Sequence, residues 1–192
     1  VESPPRLARI GLVARFKPVH LGHLAVLEGA LERAERVVIG LGSANRHDLD
    51  NPWSAAESAA MIRAALGPAA GRATLVELED LGDGPRWATL VVERLGALDL
   101  FVTANAYVAQ LLERRYRVAP MVSLVSPGRR VRVEGRQVRA AMARGGDWRA
   151  LVPAPVAELL CREGLVDRFR REFGLATLAR DAPAPEPRTG VE

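Results

Sequence analysis

The sequence predicts an α/β fold built on a doubly wound, five-stranded parallel sheet with helices following it, and two observations predict it. Short apolar runs rich in Val, Ile and Leu alternate along the chain with amphipathic stretches of helical length, which is the order of βαβ units. Those runs show no clean two-residue alternation, as expected of strands covered on both faces. Right-handed crossovers then wind the strands into one sheet.

The elements follow in order. Leu7 to Val13 reads as the first strand. Leu21 to Ala34 reads as a helix, with Leu24, Leu27, Leu31 and Ala34 on one face. Arg36 to Gly42 is a buried strand rich in β-branched residues, and Ser43 to Trp53 is a polar loop. Ser54-Ala-Ala-Glu57 has the form of a capping box and opens a helix to Leu66, which Gly67-Pro68 ends. Ala73 to Glu79 is the third strand, Asp80 to Pro85 a loop and Arg86 to Leu95 a helix. Leu98 to Thr103 is the fourth strand, Ala106 to Arg115 a helix and Val118 to Val125 the fifth strand. A basic connector, Pro127 to Arg139, leads into helices over Gln137 to Ala143, Pro153 to Glu163 and Leu165 to Phe173. Pro153 suits a first helical turn. Residues 1–175 are expected to form one domain, helical from about 135 onward. Residues 176–192, which include the proline-rich stretch Asp181 to Arg188, are expected to be a disordered tail.

Composition narrows the function classes. Of 192 residues, 48% are apolar, enough for a real core, and no apolar run reaches the roughly 18 residues of a membrane span. Val1 to Arg6 lacks the basic-then-apolar order of a signal peptide, so a cytoplasmic protein is expected. The single cysteine, Cys161, excludes an internal disulfide framework and a thiolate zinc site. The net charge is +4, with acidic residues interspersed nearly throughout, and Lys17 is the only lysine among 27 basic residues. Few aromatics interleave with the arginines, so there is no stacking platform for nucleic acid. Five arginines lie between Arg129 and Arg139. Arg129, Arg130 and Arg132 read equally well as a solvated loop.

The richest stretch is Arg15-Phe-Lys-Pro-Val-His-Leu-Gly-His23. It joins the first strand to the first helix, at the carboxyl end of a strand where open α/β sheets bind ligands. A helix N-terminus offers unpaired N–H groups and the positive end of its dipole to an anion. Arg15, Lys17, His20 and His23 add donors there, and Gly22 lets backbone approach closely. Phosphate handling is the chemistry this predicts. A zinc pair at His20 and His23 lacks a third ligand nearby. A purely structural role stays open, because histidines also cap helices. Trp87 opens the helix after the Asp80 loop, as a core aromatic or a stacking surface. Asn105, after the fourth strand, is a ligand contact or a helix N-cap. Trp53, Trp148 and Cys161 read as packing, and His47 as a surface residue near the site.

The pattern Arg-Phe-x-Pro-x-His-x-Gly-His after a first strand resembles the signature of the nucleotidyltransferase superfamily, whose fold is Rossmann-like. Val38-Ile-Gly-Leu-Gly-Ser-Ala44, Asn51-Pro-Trp-Ser-Ala-Ala-Glu57 and Gly145-Gly-Asp-Trp-Arg-Ala-Leu-Val-Pro153 follow in the order found in the archaeal type of nicotinamide-nucleotide adenylyltransferase. The resemblance covers about residues 8–165. It implies transfer of AMP from ATP to nicotinamide mononucleotide, with pyrophosphate leaving and Mg²⁺ accompanying the ATP. Related transferases use nicotinic acid mononucleotide, phosphopantetheine or a flavin as acceptor, and a nucleotide-binding regulatory protein without turnover is the alternative of another class. His20, His23 and Arg139 correspond to the catalytic set. Arg15, Phe16, Lys17, Gly22, Gly135, Arg136 and Val138 fall to the ATP phosphates. Trp87, which in the family stacks on the nicotinamide ring, falls with Asp80 and Asn105 to the mononucleotide. The family's second motif, Ser-Gly-Thr-x-Ile-Arg, is matched by Glu134-Gly-Arg-Gln-Val-Arg139, so Glu134 and Arg136 stand where the family has hydroxyls. The family is often hexameric, which implies a homo-oligomer.

Overall fold

The computed structural model describes residues 6–182. Five strands form one sheet: β1 (Leu7–Ala14), β2 (Ala34–Leu41), β3 (Ala73–Glu77), β4 (Leu100–Thr103) and β5 (Val118–Pro120). Their spatial order is β3-β2-β1-β4-β5, and every neighbouring pair is parallel. β1 is central, with Ile10 level with Val37 of β2 on one side and Leu100 of β4 on the other. The chain winds outward from β1 to β3, then returns past β1 to start β4. That reversal opens a crevice at the carboxyl ends of β1 and β4.

Seven α-helices are seen among the described residues: α1 (Leu21–Arg33), α2 (Ala55–Leu66), α3 (Gly84–Leu95), α4 (Ala106–Leu112), α5 (Gly135–Arg144), α6 (Ala154–Arg162) and α7 (Leu165–Asp181). The sheet is covered on both faces, which explains its nearly continuous apolar strands. Val37, Ile39 and Leu100 join a core with Leu27 of α1, Ile62 of α2, Val138 of α5 and Phe169 of α7. Val38 and Phe101 point the other way, to Val91 of α3 and Leu112 of α4. α1 lies close to the turn Met121–Leu124: a Cβ on Gly29 would stand 2.1 Å from the Leu124 carbonyl oxygen. The capping box that opens α2 is present, with Glu57 N–H donating to Ser54 Oγ at 3.1 Å and Ser54 N–H to Glu57 Oε2 at 2.8 Å.

Two expectations change. β5 stops at Pro120, and Met121–Leu124 is a 3₁₀ turn instead of strand. Pro120 offers no N–H to a ladder, which suits a strand end. α7 runs to Asp181, so residues 176–181, expected as tail, are helical. Thr177 is buried, its hydroxyl donating to Phe173 O at 2.8 Å, and Arg170 Nε donates to Met142 O of α5 at 2.9 Å. The last ten residues, 183–192, lie outside the described residues. Among the described residues no helix is long and apolar enough to cross a membrane.

Candidate active site

A cavity of about 950 Å³ occupies the crevice. One wall is the β1–α1 loop with the start of α5: Arg15, Phe16, Lys17, His20, His23, Gly135 and Arg139. The facing wall comes from α3, α4 and the loops before them, with Asp80, Asp83, Trp87, Asn105 and Tyr107. Ser43 and Asp50 of the loop after β2 contribute to the lining too.

The two histidines organise the first wall. His20 is the N-cap of α1 in extended conformation. His23 N–H donates to His20 Nδ1 at 3.3 Å, and His20 N–H to His23 Nδ1 at 3.4 Å. The reciprocal pair is a capping box made of imidazoles. The rings stack with centroids 3.6 Å apart. Because both Nδ1 atoms accept, each neutral ring carries its proton on Nε2. Burial pushes His20 down to about 4. Burial first, then His20, pushes His23 well below the usual imidazole range, against an opposing Pro18 carbonyl. Both are neutral at pH 7. The capping reading and the ligand-facing reading of these residues are therefore compatible.

Phe16 has φ of +54°, a conformation costly for a non-glycine residue. Its ring is 1% exposed and lies against His23, centroids 4.6 Å apart. Its side chain therefore packs beneath the histidines. Gly22 and Val138 were expected at the phosphates, and both are placed differently. A Cβ on Gly22 would stand 3.2 Å from the His20 ring and 3.3 Å from Val131 O, so its smallness makes room for the imidazole, and it does not line the cavity. Val138 is fully buried in the core, on the inner face of α5, and contributes packing.

The cations divide into held and free. Lys17 is 3% exposed, and its Nζ donates to Ser43 O at 3.0 Å and Asn51 Oδ1 at 3.4 Å. Burial pushes its ammonium down to about 8, with Asp48 opposing and Arg15 reinforcing. Arg139 is 4% exposed; it donates to Lys17 O at 2.7 Å and Asp50 Oδ1 at 2.7 Å, while its Nε is buried without a partner. Gly135 makes this possible, since a Cβ there would stand 3.1 Å from both Arg139 Nη1 and Lys17 O. Arg15 and Arg136 are exposed at the cavity wall, with no ion pair among the described residues. Glu134 is the exposed N-cap of α5, and its N–H donates to Gln137 Oε1 at 2.8 Å.

On the facing wall Trp87 is half-buried, packed against the second core and lining the cavity, so both readings of it meet. Asn105 caps α4, its Oδ1 accepting from Tyr107 N–H at 2.9 Å and Val108 N–H at 3.3 Å. Asp80 N–H donates to Asn45 Oδ1 at 2.8 Å, and Asp80 O accepts from Asn45 Nδ2 at 3.1 Å. This exchange ties the loops after β2 and β3 together. Asp50, Ser43 and Tyr107 line the cavity without having been singled out in the sequence. The acidic pair Asp48 and Asp50, directly before Asn51-Pro52, was the signal available. Trp53 and Trp148 are core residues as expected. Cys161, expected to pack, is exposed on α6, with Arg149 Nη2 3.1 Å from its sulfur. Of the arginine-rich connector, Arg129 pairs with Glu32 at 2.6 Å. Among the described residues no three His, Cys, Asp or Glu side chains converge as a metal site.

The sequence matches the Cytidylyltransferase-like family over residues 12–132. A nicotinamide-nucleotide adenylyltransferase of Methanolobus tindarius is 31% identical over 165 residues, covering 85% of this chain and 94% of that one. One from Thermococcus kodakarensis is 36% identical over 164 residues, covering 82% and 85%. Among solved structures, a bifunctional NMN adenylyltransferase/ADP ribose pyrophosphatase of Francisella tularensis, complexed with AMP and a Mn ion, is similar with a TM-score of 0.61 at 16% identity. The likeness, one of fold, covers 93% of this chain, which spans 57% of that one.

Proposed function

The chain belongs to the Cytidylyltransferase-like family and to the nicotinamide-nucleotide adenylyltransferases, and from that premise we propose that its cavity holds ATP and nicotinamide mononucleotide together. As a member of the family it is an adenylyltransferase that makes NAD. The 5′-phosphate of the mononucleotide attacks the α-phosphorus of ATP, the bond to the bridging oxygen breaks, and pyrophosphate leaves with that oxygen. The attacking oxygen is already anionic, so no general base is required. Catalysis rests on alignment and on stabilising charge that builds on the phosphoryl oxygens.

The observation that carries the residue assignment is the imidazole capping box beside two unpaired arginines. His20 and His23 donate from Nε2 to the α- and β-phosphate oxygens. Arg15 and Arg136, free of ion pairs among the described residues, meet the outer phosphates. Lys17 and Arg139 stand behind them: Lys17 fixes the loop through Ser43, and Arg139 holds the Lys17 carbonyl and lends its positive field to the same wall. Mg²⁺ is part of the MgATP substrate, held by phosphate oxygens and water. Across the cavity the Trp87 face supports the pyridinium ring as a cation–π partner. Under this reading the chain works in the cytoplasm and assembles with copies of itself, which sedimentation would reveal.

Pyrophosphate release from MgATP tests the assignment when it is measured with nicotinamide mononucleotide, its acid counterpart, phosphopantetheine and flavin mononucleotide. The expected result is fastest turnover with the amide mononucleotide, and a loss on Trp87→Ala carried mainly by KM for the mononucleotide. ATP binding without turnover on any acceptor would sink the catalytic reading and favour a regulatory protein.

A further inference from the structure

Among the described residues, Asp50 is the one carboxylate in the cavity wall held by two guanidinium groups. Arg139 of α5 donates to its Oδ1 at 2.7 Å. Arg180, from the last turn of α7, donates to Oδ2 and to Oδ1, each at 3.0 Å. The three residues come from separate parts of the chain, and only Asp50 and Arg139 line the cavity. Arg180 reaches the site from behind, through the carboxylate.

The rest of α7 grips the same segment. Arg168 donates to both carboxylate oxygens of Glu57, at 2.7 and 2.8 Å, and to Pro52 O at 3.3 Å. Glu172 pairs with His47 at 3.2 Å. Positions 168, 172 and 180 share one helix face, so one face of α7 fixes the segment from 47 to 57. The Asp50–Arg180 pair is 41% and 39% exposed, and an ion pair that open to water adds little to stability. Its charge, however, sits where an anion is expected.

We propose that Arg180 is a positioning residue for the triphosphate, acting through Asp50. The proposal rests on the reading of the cavity as the ATP site. With Arg180 in place, Asp50 is neutralised and the trio carries one net positive charge toward the phosphates. Without it, Asp50 and Arg139 cancel each other. Asp50 then presents its negative field to the incoming anion and holds Arg139 for itself. Arg180 supplies the second cation that frees the field of the first.

The test is steady-state kinetics at low salt with Arg180→Gln, Arg180→Lys, Asp50→Asn and the Asp50→Asn/Arg180→Gln double variant, each checked for folding by thermal melting. Arg180→Gln is expected to raise KM for ATP about fivefold, the scale of one partly screened charge, with kcat and KM for the mononucleotide within about twofold. Arg180→Lys restores the KM. In the double variant, KM for ATP returns to within about twofold of Asp50→Asn alone, because no carboxylate remains to be neutralised. A helix anchor alone would lower the melting temperature and move all the constants together, without rescue. An unchanged KM for ATP in Arg180→Gln, or a double variant that stays fivefold above Asp50→Asn, overturns the proposal. The wild-type chain in the same assay separates the two readings: no NAD from it removes the ATP-site reading, whereas turnover indifferent to Arg180 removes only this inference.

Discussion

His20 and His23 cap α1 with their own rings. Their Nδ1 atoms close the start of the helix, which puts the one proton of each ring on Nε2, the atom to which the proposed phosphate contacts fall. The cost is a pair of buried neutral imidazoles. In the unfolded chain each titrates near 6.5, whereas in the folded protein His20 is held down to about 4. Below pH 6.5 the unfolded state therefore binds protons that the folded state refuses. Stability falls as the pH drops from 6.5 toward 4, and by about 2 kcal/mol at pH 5 for His20 alone. The lowered carboxyls of Asp50 and Glu57 lose their contribution only from their unfolded values of 3.8 and 4.5 downward, at the lower edge of that window. Melting temperature followed from pH 7.5 to 4.5 in phosphate-free buffer is expected to decline, and His20→Asn, which keeps a capping side chain, is expected to flatten the decline. A wild-type profile level across that range would contradict the neutral assignment. The opening motif made these two residues legible in the sequence. The motif does not show in what way Gly22 and Val138 serve the site: Gly22 is small beside the His20 ring, and the Val138 side chain faces the core.

At the scale of elements, helix starts and strand interiors were legible where the local chemistry is strong. Ser54 and Glu57 announced α2, and the Val-Ile run announced β2. Helix and strand ends were less legible. β5 stops where Pro120 removes a donor, and the apolar residues after it fold into a turn. α7 continues past Phe173, where Thr177 is buried and Arg180 finds Asp50, contacts that no local propensity records; Gly174 inside the helix further weakens its signal. The contact between α1 and the Met121–Leu124 turn gives a stringent test. Gly29→Ala puts a methyl into the Leu124 carbonyl, a backbone atom that cannot swing aside. The expected loss is about 1–3 kcal/mol of stability, measured by urea unfolding. A neutral outcome would mean that the turn yields freely.

For the whole molecule, the decisive arrangement is the reversal between β3 and β4, which places elements from both faces of the sheet around one crevice. The alternation of strands and helices was enough to predict the crevice and the loop at its floor. It was not enough to predict that the C-terminal helix returns to brace the opposite loop, since that depends on pairs more than a hundred residues apart, such as Arg168 with Glu57. The protonation of the imidazole pair has a further consequence for the molecule as a whole. A second proton on either ring would have to sit on Nδ1, the atom that closes the cap of α1, so each ring is held to the single proton on Nε2. Under the proposed reading, nucleotide binding then exchanges no proton with the histidines. Titration calorimetry with MgATP at pH 7 is expected to give the same binding heat in buffers of different ionisation enthalpy. A heat that varies with the buffer would mean that a ring charges on binding and the cap of α1 opens.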